Sequence, residues 1–409
     1  MLLLKMAVRN LWRNKRRTLI TLGAMSFALF IMIFYTGFLE GYLAEFEHNA
    51  IALNLAKIQI HHPEYRDDTS IYNTVEDTPT VLRELEAAGY RVSPRFISYG
   101  LAAAGDESAG VIIRGTDPVR EPNVTEMAKH VSRGRWLTHD DYQAGNNGVV
   151  IGRKLARTLG VDLGDELVIV GQAADGSIAN DLYFVRGIFK TVSEAVDRSG
   201  FMITDAAFKD LMGFGDDAHE VAIMPPGDIS LEAATEFVAT KAPGMETLAW
   251  YDLAPEIAQM LEASSVSMFL LYLIAYAAIA LVTLNAMLMA VFERIREFGI
   301  MKAVGVKPGQ VWWIINLEAV VMTLIAVVIG TALGLPVTLY FASKGIDFSA
   351  ISQGTAYGGI AMDPRINPIV SLGTVVKPAL FMAGMVWLAV IYPGIKAAVI
   401  KPIKAIYHR

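Results

Sequence analysis

Four runs of apolar residues, each long enough to cross a bilayer, leave this chain few ways to fold. About 20 mostly apolar residues at ~1.5 Å per residue span a ~30 Å hydrocarbon core, where only helices or closed barrels satisfy their own backbone. Thr18–Leu39 and Val266–Phe292 carry no charge, and Val311–Phe341 carries one acid, Glu318. Thr374–Ala398 is weaker, with Lys377 and Lys396 bounding a shorter apolar core. Four transmembrane helices are expected, at 18–39, 266–292, 311–341 and 374–398. They account for a hydrophobic share of 54%, above that of an ordinary soluble protein. The first run is longer than the ~7–15 apolar residues of a secretory signal and no small-x-small site follows it, so it reads as an uncleaved anchor.

Lys and Arg set the orientation of such a chain. They cluster in residues 1–17 (a basic amphipathic helix), in the loop 293–310 and in the tail 399–409. Four spans put all three on one side, the cytoplasm. The segment 40–265 carries 36 acids against 18 bases and falls on the other side, as does the loop 342–373. Both termini are therefore expected in the cytoplasm, with one large domain outside. The fold class is an α-helical membrane protein with an α+β domain inserted between helices 1 and 2. With no cysteine, that domain must be stabilised by its core rather than by disulfides.

Within the inserted domain "LAKIQIHH" alternates like a half-buried strand, and "DTPTVLRELEAAG" like a helix with Thr78 at its cap, Pro79 in its first turn and Gly89 at its end. "GVVIGRKLARTLGVDLGDELVIV" reads as strand, helix, turn, strand, and two lobes are conceivable. No GxSxG, HExxH or GxxxxGK[ST] pattern occurs. His61 and His62 are the best metal candidates, but neighbours on a strand point to opposite faces, and an edge strand is the simpler reading. Asp140-Asp141 and Asp216-Asp217 read as solvated acidic turns. No metal, bound cofactor, catalytic residue or nucleic-acid contact is expected, and the chain is not expected to be an enzyme.

The 293–310 loop is the one cytoplasmic connection between spans. Glu293 and Glu297 share a helix face, Ile295 and Phe298 another, and Arg294, Arg296 and Lys302 add cations. Gly305 fits a helix stop and Pro308-Gly309 a turn before the third span. A topology anchor needs only Lys and Arg, so the acids and the glycine spacing point to a docking helix.

"ERIREFGIMKAVGVKPGQV" resembles the cytoplasmic coupling segment of ABC transporter permeases of the FtsX/MacB/LolC-LolE superfamily. "AVRNLWRNKRRTLIT" is similar to that family's basic entry helix, and "YPGIKAAVIKPIKAI" to its tail. "FVRGIFKTVSEAVDRSGFMITDAAFKDLM" looks most like the lipoprotein-releasing branch. The resemblance implies a permease that dimerises with a like or unlike chain and binds two copies of a separate cytoplasmic ABC ATPase, which supplies ATP and Mg. It implies that Glu293, Arg294, Glu297, Gly299, Met301, Lys302, Ala303 and Gly305 meet that ATPase. Cargo captured outside, a lipoprotein in the branch most resembled, would be pushed outward without crossing a channel. The outer halves of the first two spans offer Phe27, Phe30, Phe34, Tyr35, Phe38, Met268, Phe269, Tyr272 and Tyr276 for acyl chains; ordinary lipid-facing positions are the alternative. The family's hook for a periplasmic carrier would fall in "GQAADGSIAND", which is short, polar and lacks Pro and Arg, so no hook is expected. Gly330 and Gly334 form a GxxxG pair for close helix contact, and Glu318, about 10 Å into its span, is expected in a structural hydrogen bond. The bacterial inner membrane is the implied location. A MacB- or FtsX-like machine that expels peptides or small molecules, or activates a periplasmic partner, is the alternative, and a membrane-anchored sensor the more distant one.

Overall fold

The computed structural model describes residues 9, 14–143, 146–227, 229–348 and 365–401. The expected basic helix before Asn14 and most of the expected tail therefore lie outside the described residues, as does much of the 342–373 loop. In chain order the structure has α1 (Lys15–Ala50), β1 (Ile58–His61), α2 (Thr78–Ala87), β2 (Arg91–Ala104), β3 (Glu107–Thr116), β4 (Val131–Gly134) and β5 (Asn147–Ile151). There follow α3 (Arg153–Leu159), β6 (Glu166–Gln172), β7 (Ile178–Phe189), β8 (Gly200–Thr204), α4 (Asp205–Met212), β9 (Glu220–Met224), α5 (Leu231–Lys241) and β10 (Glu246–Ala249). Four helices close the chain: α6 (Pro255–Glu293), α7 (Ile295–Ala303), α8 (Pro308–Lys344) and α9 (Leu372–Val399). Several short helical turns lie between these elements. Two compact units result, one of the long helices and one of the inserted domain.

α1, α6, α8 and α9 are each long and apolar enough to cross a membrane. They keep large apolar side chains exposed, Ile274, Leu324, Leu388 and Phe269 among them, as helices solvated by lipid do. α1 and α6, at 36 and 39 residues, run well past the expected spans. α1 and α8 approach at glycines: a Cβ on Gly330 would stand 2.9 Å from both Leu29 Cβ and the Ser26 carbonyl, and one on Gly334 3.3 Å from Ile33. Gly37 meets Thr338 in return, and Gly41 lies under the Asn367 carbonyl. Such small-residue seams let helices touch where no hydrophobic effect drives them together.

The inserted domain is built on one ten-stranded sheet, ordered β10-β1-β9-β2-β3-β8-β5-β7-β4, with β6 bridging β2 and β7. Its two larger cores lie on different parts of the sheet. Phe96, Ile113, Tyr183, Phe201 and Phe208 pack with α3 and α4, while Ile58, Val81, Leu85, Tyr90 and Val238 pack with α2 and α5. β6 alternates as its sequence requires, with Leu167 and Ile169 inward. α2 begins one residue earlier than expected: Asp77 holds the cap position, and Thr78 donates to the Val75 carbonyl at 2.7 Å instead of capping. Gly89 follows α2 at φ +85°, where a side chain would be strained.

Three expectations for this domain are corrected. β1 is not a half-buried edge strand: it lies between β9 and β10 and all four of its residues are buried. Gln59 and His61 share one of its faces and join through Gln59 Oε1 and His61 Nε2 at 2.8 Å. Asp141 is not solvated. It is buried, takes a bidentate pair from Arg135 with one arm at 2.7 Å, and closes a capping box with Thr138. Asp217 is likewise tied, accepting the Thr78 amide at 3.1 Å, whereas Asp216 is an exposed turn acid paired with Lys209. Asp141 also pairs with Arg186 at 3.3 Å, so in each case a local sequence reading misses a partner distant along the chain.

The largest buried charge in the domain is Arg95, fully enclosed between Glu121 (2.7 Å) and Glu220. Burial alone would raise both carboxyls, but the Arg95 guanidinium outweighs it and holds them below the usual range. Nearby His219 accepts from the Ile97 amide at Nδ1 and donates from Nε2 to the Ile71 carbonyl, each at 3.0 Å. Burial pushes its pKa down to about 4, so it is neutral in the folded domain.

Candidate functional site: the short helix between α6 and α8

α7 is a nine-residue helix that starts immediately after α6 breaks at Arg294. Gly305, at φ +105°, ends it, and the Val306 amide returns to the Met301 carbonyl across that turn. Pro308 and Gly309 then form the first turn of α8, earlier than the Val311 start expected, because proline at a first helical position loses no hydrogen bond.

Three side chains of this segment tie it to three other helices. Glu293 Oε2 accepts from Arg17 Nη1 at 3.0 Å and from Asn14 Nδ2 at 2.7 Å, where α1 begins. Arg294 donates from Nε to Glu297 and from Nη1 to Glu318 on α8, both at 3.2 Å, with its guanidinium 5.1 Å over the Phe298 ring. Lys302 Nζ donates to the Ala398 and Ile400 carbonyls, the latter at 2.8 Å, at the unsatisfied end of α9. Burial lowers the Lys302 pKa, though the ammonium still donates to these carbonyls. Phe298 and Gly299 are buried.

These contacts alter several expectations. Arg294, only 12% exposed, and Lys302 are committed within the chain and are not displayed to a partner. Gly299 and Met301 also turn inward, the second packed against the core of the long helices. Glu318 has its structural bond, and the donor is Arg294. Ala303 and Gly305 remain exposed, Glu293 is exposed but already bonded, and Glu297 is half-buried. The outward ridge is instead Arg296, Ile300, Val304 and Lys307, with Val304 83% exposed. Ile300 and Val304 were missed in the sequence although their i, i+4 spacing, out of phase with Phe298, was a usable signal.

The aromatic side chains of α1 and α6 separate into two sets. Phe27 is 61% exposed and Phe269 53%. Phe30, Phe34, Tyr35, Phe38 and Met268 are half-buried, and Phe34 lies edge-on to Phe341 at 5.7 Å. Tyr272 and Tyr276 are buried, Tyr272 hydrogen-bonded to Thr36 and both rings against Phe381 of α9. Those two tyrosines fasten α6 to α1 and α9 and do not face lipid, which corrects their assignment to an acyl-chain surface. Among the described residues, no group of three or more His, Cys, Asp or Glu is placed to hold a metal.

Residues 18–240 match the family "MacB-like periplasmic core domain", and residues 269–402 match "FtsX-like permease C-terminal". The chain belongs to the ABC transporter permeases of the MacB/FtsX/LolC family. The permease is 24% identical to the lipoprotein-releasing system transmembrane protein LolC of Neisseria meningitidis over 83% of each chain. It is 20% identical to LolC of Xylella fastidiosa over 74% of each. An uncharacterized ABC transporter permease protein of Mycobacterium tuberculosis is 24% identical over 63% of this chain and 29% of its own. Among solved structures, the periplasmic region of MacB from Actinobacillus actinomycetemcomitans aligns over 51% of this chain and 94% of that one, at 15% identity and TM-score 0.38. The extracellular domain of the Gram-positive transporter YknZ aligns over 47% and 98%, at 16% and 0.34. Such permeases imply an ATPase partner and a dimer, and as subunits they are generally non-catalytic.

Proposed function

We propose that this permease couples ATP hydrolysis by a separate cytoplasmic ATPase to the extraction of acylated lipoproteins from the outer leaflet of the inner membrane. The observation that carries it is the way α7 is held. Its outward ridge of Ile300 and Val304 between Arg296 and Lys307 suits an apolar slot with acidic margins. The segment is pinned to α1 through Glu293, to α8 through Arg294 and to the end of α9 through Lys302. A push on the ridge is thereby delivered to three helices at once, and α6 continues directly from it. Rigid transmission needs neither a nucleotide site nor a channel in this chain. ATP and Mg act in the partner, with both termini and α7 on the cytoplasmic side and the inserted domain outside.

Each acyl CH₂ withdrawn from lipid costs ~0.8 kcal/mol, so a ~16-carbon chain costs about 12 kcal/mol unless protein surface replaces lipid. Phe27, Phe30, Phe34, Tyr35, Phe38 and Phe269 on α1 and α6 are the aromatic positions left to offer such a surface. The LolC relatives favour lipoprotein as the cargo. The β6–β7 connection is a plain tight turn with Gly176 at φ +86°, so a docked periplasmic carrier is not part of the proposal. The test is a photoreactive residue at position 34 or 269 in active membranes. Capture of a lipoprotein supports the reading; capture of a peptide, drug or periplasmic enzyme instead would assign the chain to the MacB- or FtsX-like alternative.

A further inference from the structure

One edge of β2 is left open part-way along its length. β3 pairs with β2 from Arg95 to Ala104 on one side. On the other side β9 ends its ladder with Glu220 opposite Arg95, and β6 begins with Gly171 opposite Gly100. No strand faces residues 96–99 there. The Arg95 carbonyl accepts from the His219 amide and the Ile97 amide donates to the His219 ring, which fixes the direction of this edge. In an extended strand every second residue turns both its N–H and its C=O to the same edge, so the Ile97 carbonyl and the Tyr99 amide also point into the gap. Among the described residues, neither of these two groups is hydrogen-bonded. An open strand edge of this kind is a template for another chain. A cleft of about 390 Å³ opens on the gap, lined by Ile97, Ser98 and Tyr99, by residues 69–72, and by Gln172 and Ala173. Tyr72 and Tyr99, 68% and 53% exposed, stand in its walls. The Tyr72 hydroxyl donates to the Ala174 carbonyl at 2.7 Å, so an exposed ring is held in place against the β6–β7 turn. Among the described residues lining the cleft, none is charged.

We propose that this cleft binds an extended, uncharged peptide segment running parallel to β2. In a parallel ladder one residue donates its N–H to the residue before its opposite number and accepts at its C=O from the residue after it. A peptide residue set opposite Ser98 therefore satisfies the Ile97 carbonyl and the Tyr99 amide together. The ends of β9 and β6 confine main-chain pairing to that residue. Its neighbours lie against the Tyr72 and Tyr99 rings and the hydroxyls of Thr69 and Ser70, walls that are already ordered before binding. An ion gains nothing from walls without a counter-charge. A saccharide suits the tyrosines and hydroxyls, but an acceptor and a donor at strand spacing are the pattern of a peptide unit.

Saturation-transfer NMR detects weak ligands on a large particle, so the full chain in nanodiscs can be tested, with empty nanodiscs as the blank. The probe is the peptide Ser-Val-Thr-Val-Ser, acetylated and amidated at its ends. Transfer to this peptide should fall at least fivefold when its three central residues are N-methylated, which removes the N–H that the Ile97 carbonyl needs. It should fall as far in Tyr72→Ala and in Thr69→Trp, which fills the mouth of the cleft, and stay unchanged in Asp106→Asn, in the exposed β2–β3 turn. Tyr72 and Thr69 are both exposed, so either variant carries the test if the other impairs folding. No transfer above the blank, equal transfer to the N-methylated peptide, transfer that both cleft variants leave unchanged, or transfer to maltotriose in place of the peptide would overturn the proposal.

Discussion

Arg294 and Glu318 allow a sharp test of how α7 is held. Their side chains are 12% and 9% exposed and 3.2 Å apart. Removing one member of such a buried pair costs about 3–5 kcal/mol, because the other charge is left unsatisfied, whereas replacing both with apolar residues of similar volume is often near neutral. Arg294→Met strands Glu318 and should cost about 3–4 kcal/mol. Glu318→Leu leaves Arg294 one partner, Glu297, and should cost less, about 1–2 kcal/mol. The double variant should recover much of the loss, giving a coupling energy of at least about 2 kcal/mol. Unfolding in mild detergent, followed by tryptophan fluorescence and analysed as a double-mutant cycle, reads it. A coupling energy under about 0.5 kcal/mol, with additive single effects, would refute the claim that this pair joins α7 to α8.

Other outcomes follow from the same geometry. Alanine at Gly41, whose Cβ would stand 2.2 Å from the Asn367 carbonyl, should destabilise more than Gly330→Ala, and that more than Gly334→Ala, with the middle variant costing about 1–3 kcal/mol in the same assay. His219 has a folded pKa of about 4, below its unfolded value of 6.5, so its contribution is complete above pH 6.5 and declines as pH falls toward 4. Thermal melts should show that slope flattened in His219→Phe. The depressed carboxyls of Glu121 and Glu220 add a second loss as pH falls below about 4.5 through their folded values, and Arg95→Met should remove that stabilisation at neutral pH.

Much of the architecture was legible because lipid restricts a chain to few choices. Apolar length gave the four helices, and Gly330 and Gly334 marked the close approach of α8 to α1. The helix ends were not legible, since α1 and α6 continue as ordinary helix past the apolar run. Side-chain direction was the main loss in the site. Charge spacing placed Glu293, Glu297 and Arg294 on a short helix. It could not show that Arg294 turns in toward Glu318, because that depends on a residue 24 positions away. The same limit hid the burial of Asp141 by Arg135 and Arg186, and the inward packing of Tyr272 and Tyr276 against Phe381. Aromatic content alone cannot tell a lipid-facing ring from one that fastens two helices.

The absence of native cysteine makes the central claim directly measurable, since Val304→Cys creates a single thiol at the exposed residue that caps α7. In membranes that contain the cognate ATPase, a thiol-reactive photocrosslinker attached at position 304 should join it to the ATPase subunit on illumination. Phe298→Cys, buried on the opposite side of the same helix, should give no such product. Failure of position 304 to reach the ATPase, or its labelling by an impermeant thiol reagent from outside intact cells, would contradict the account.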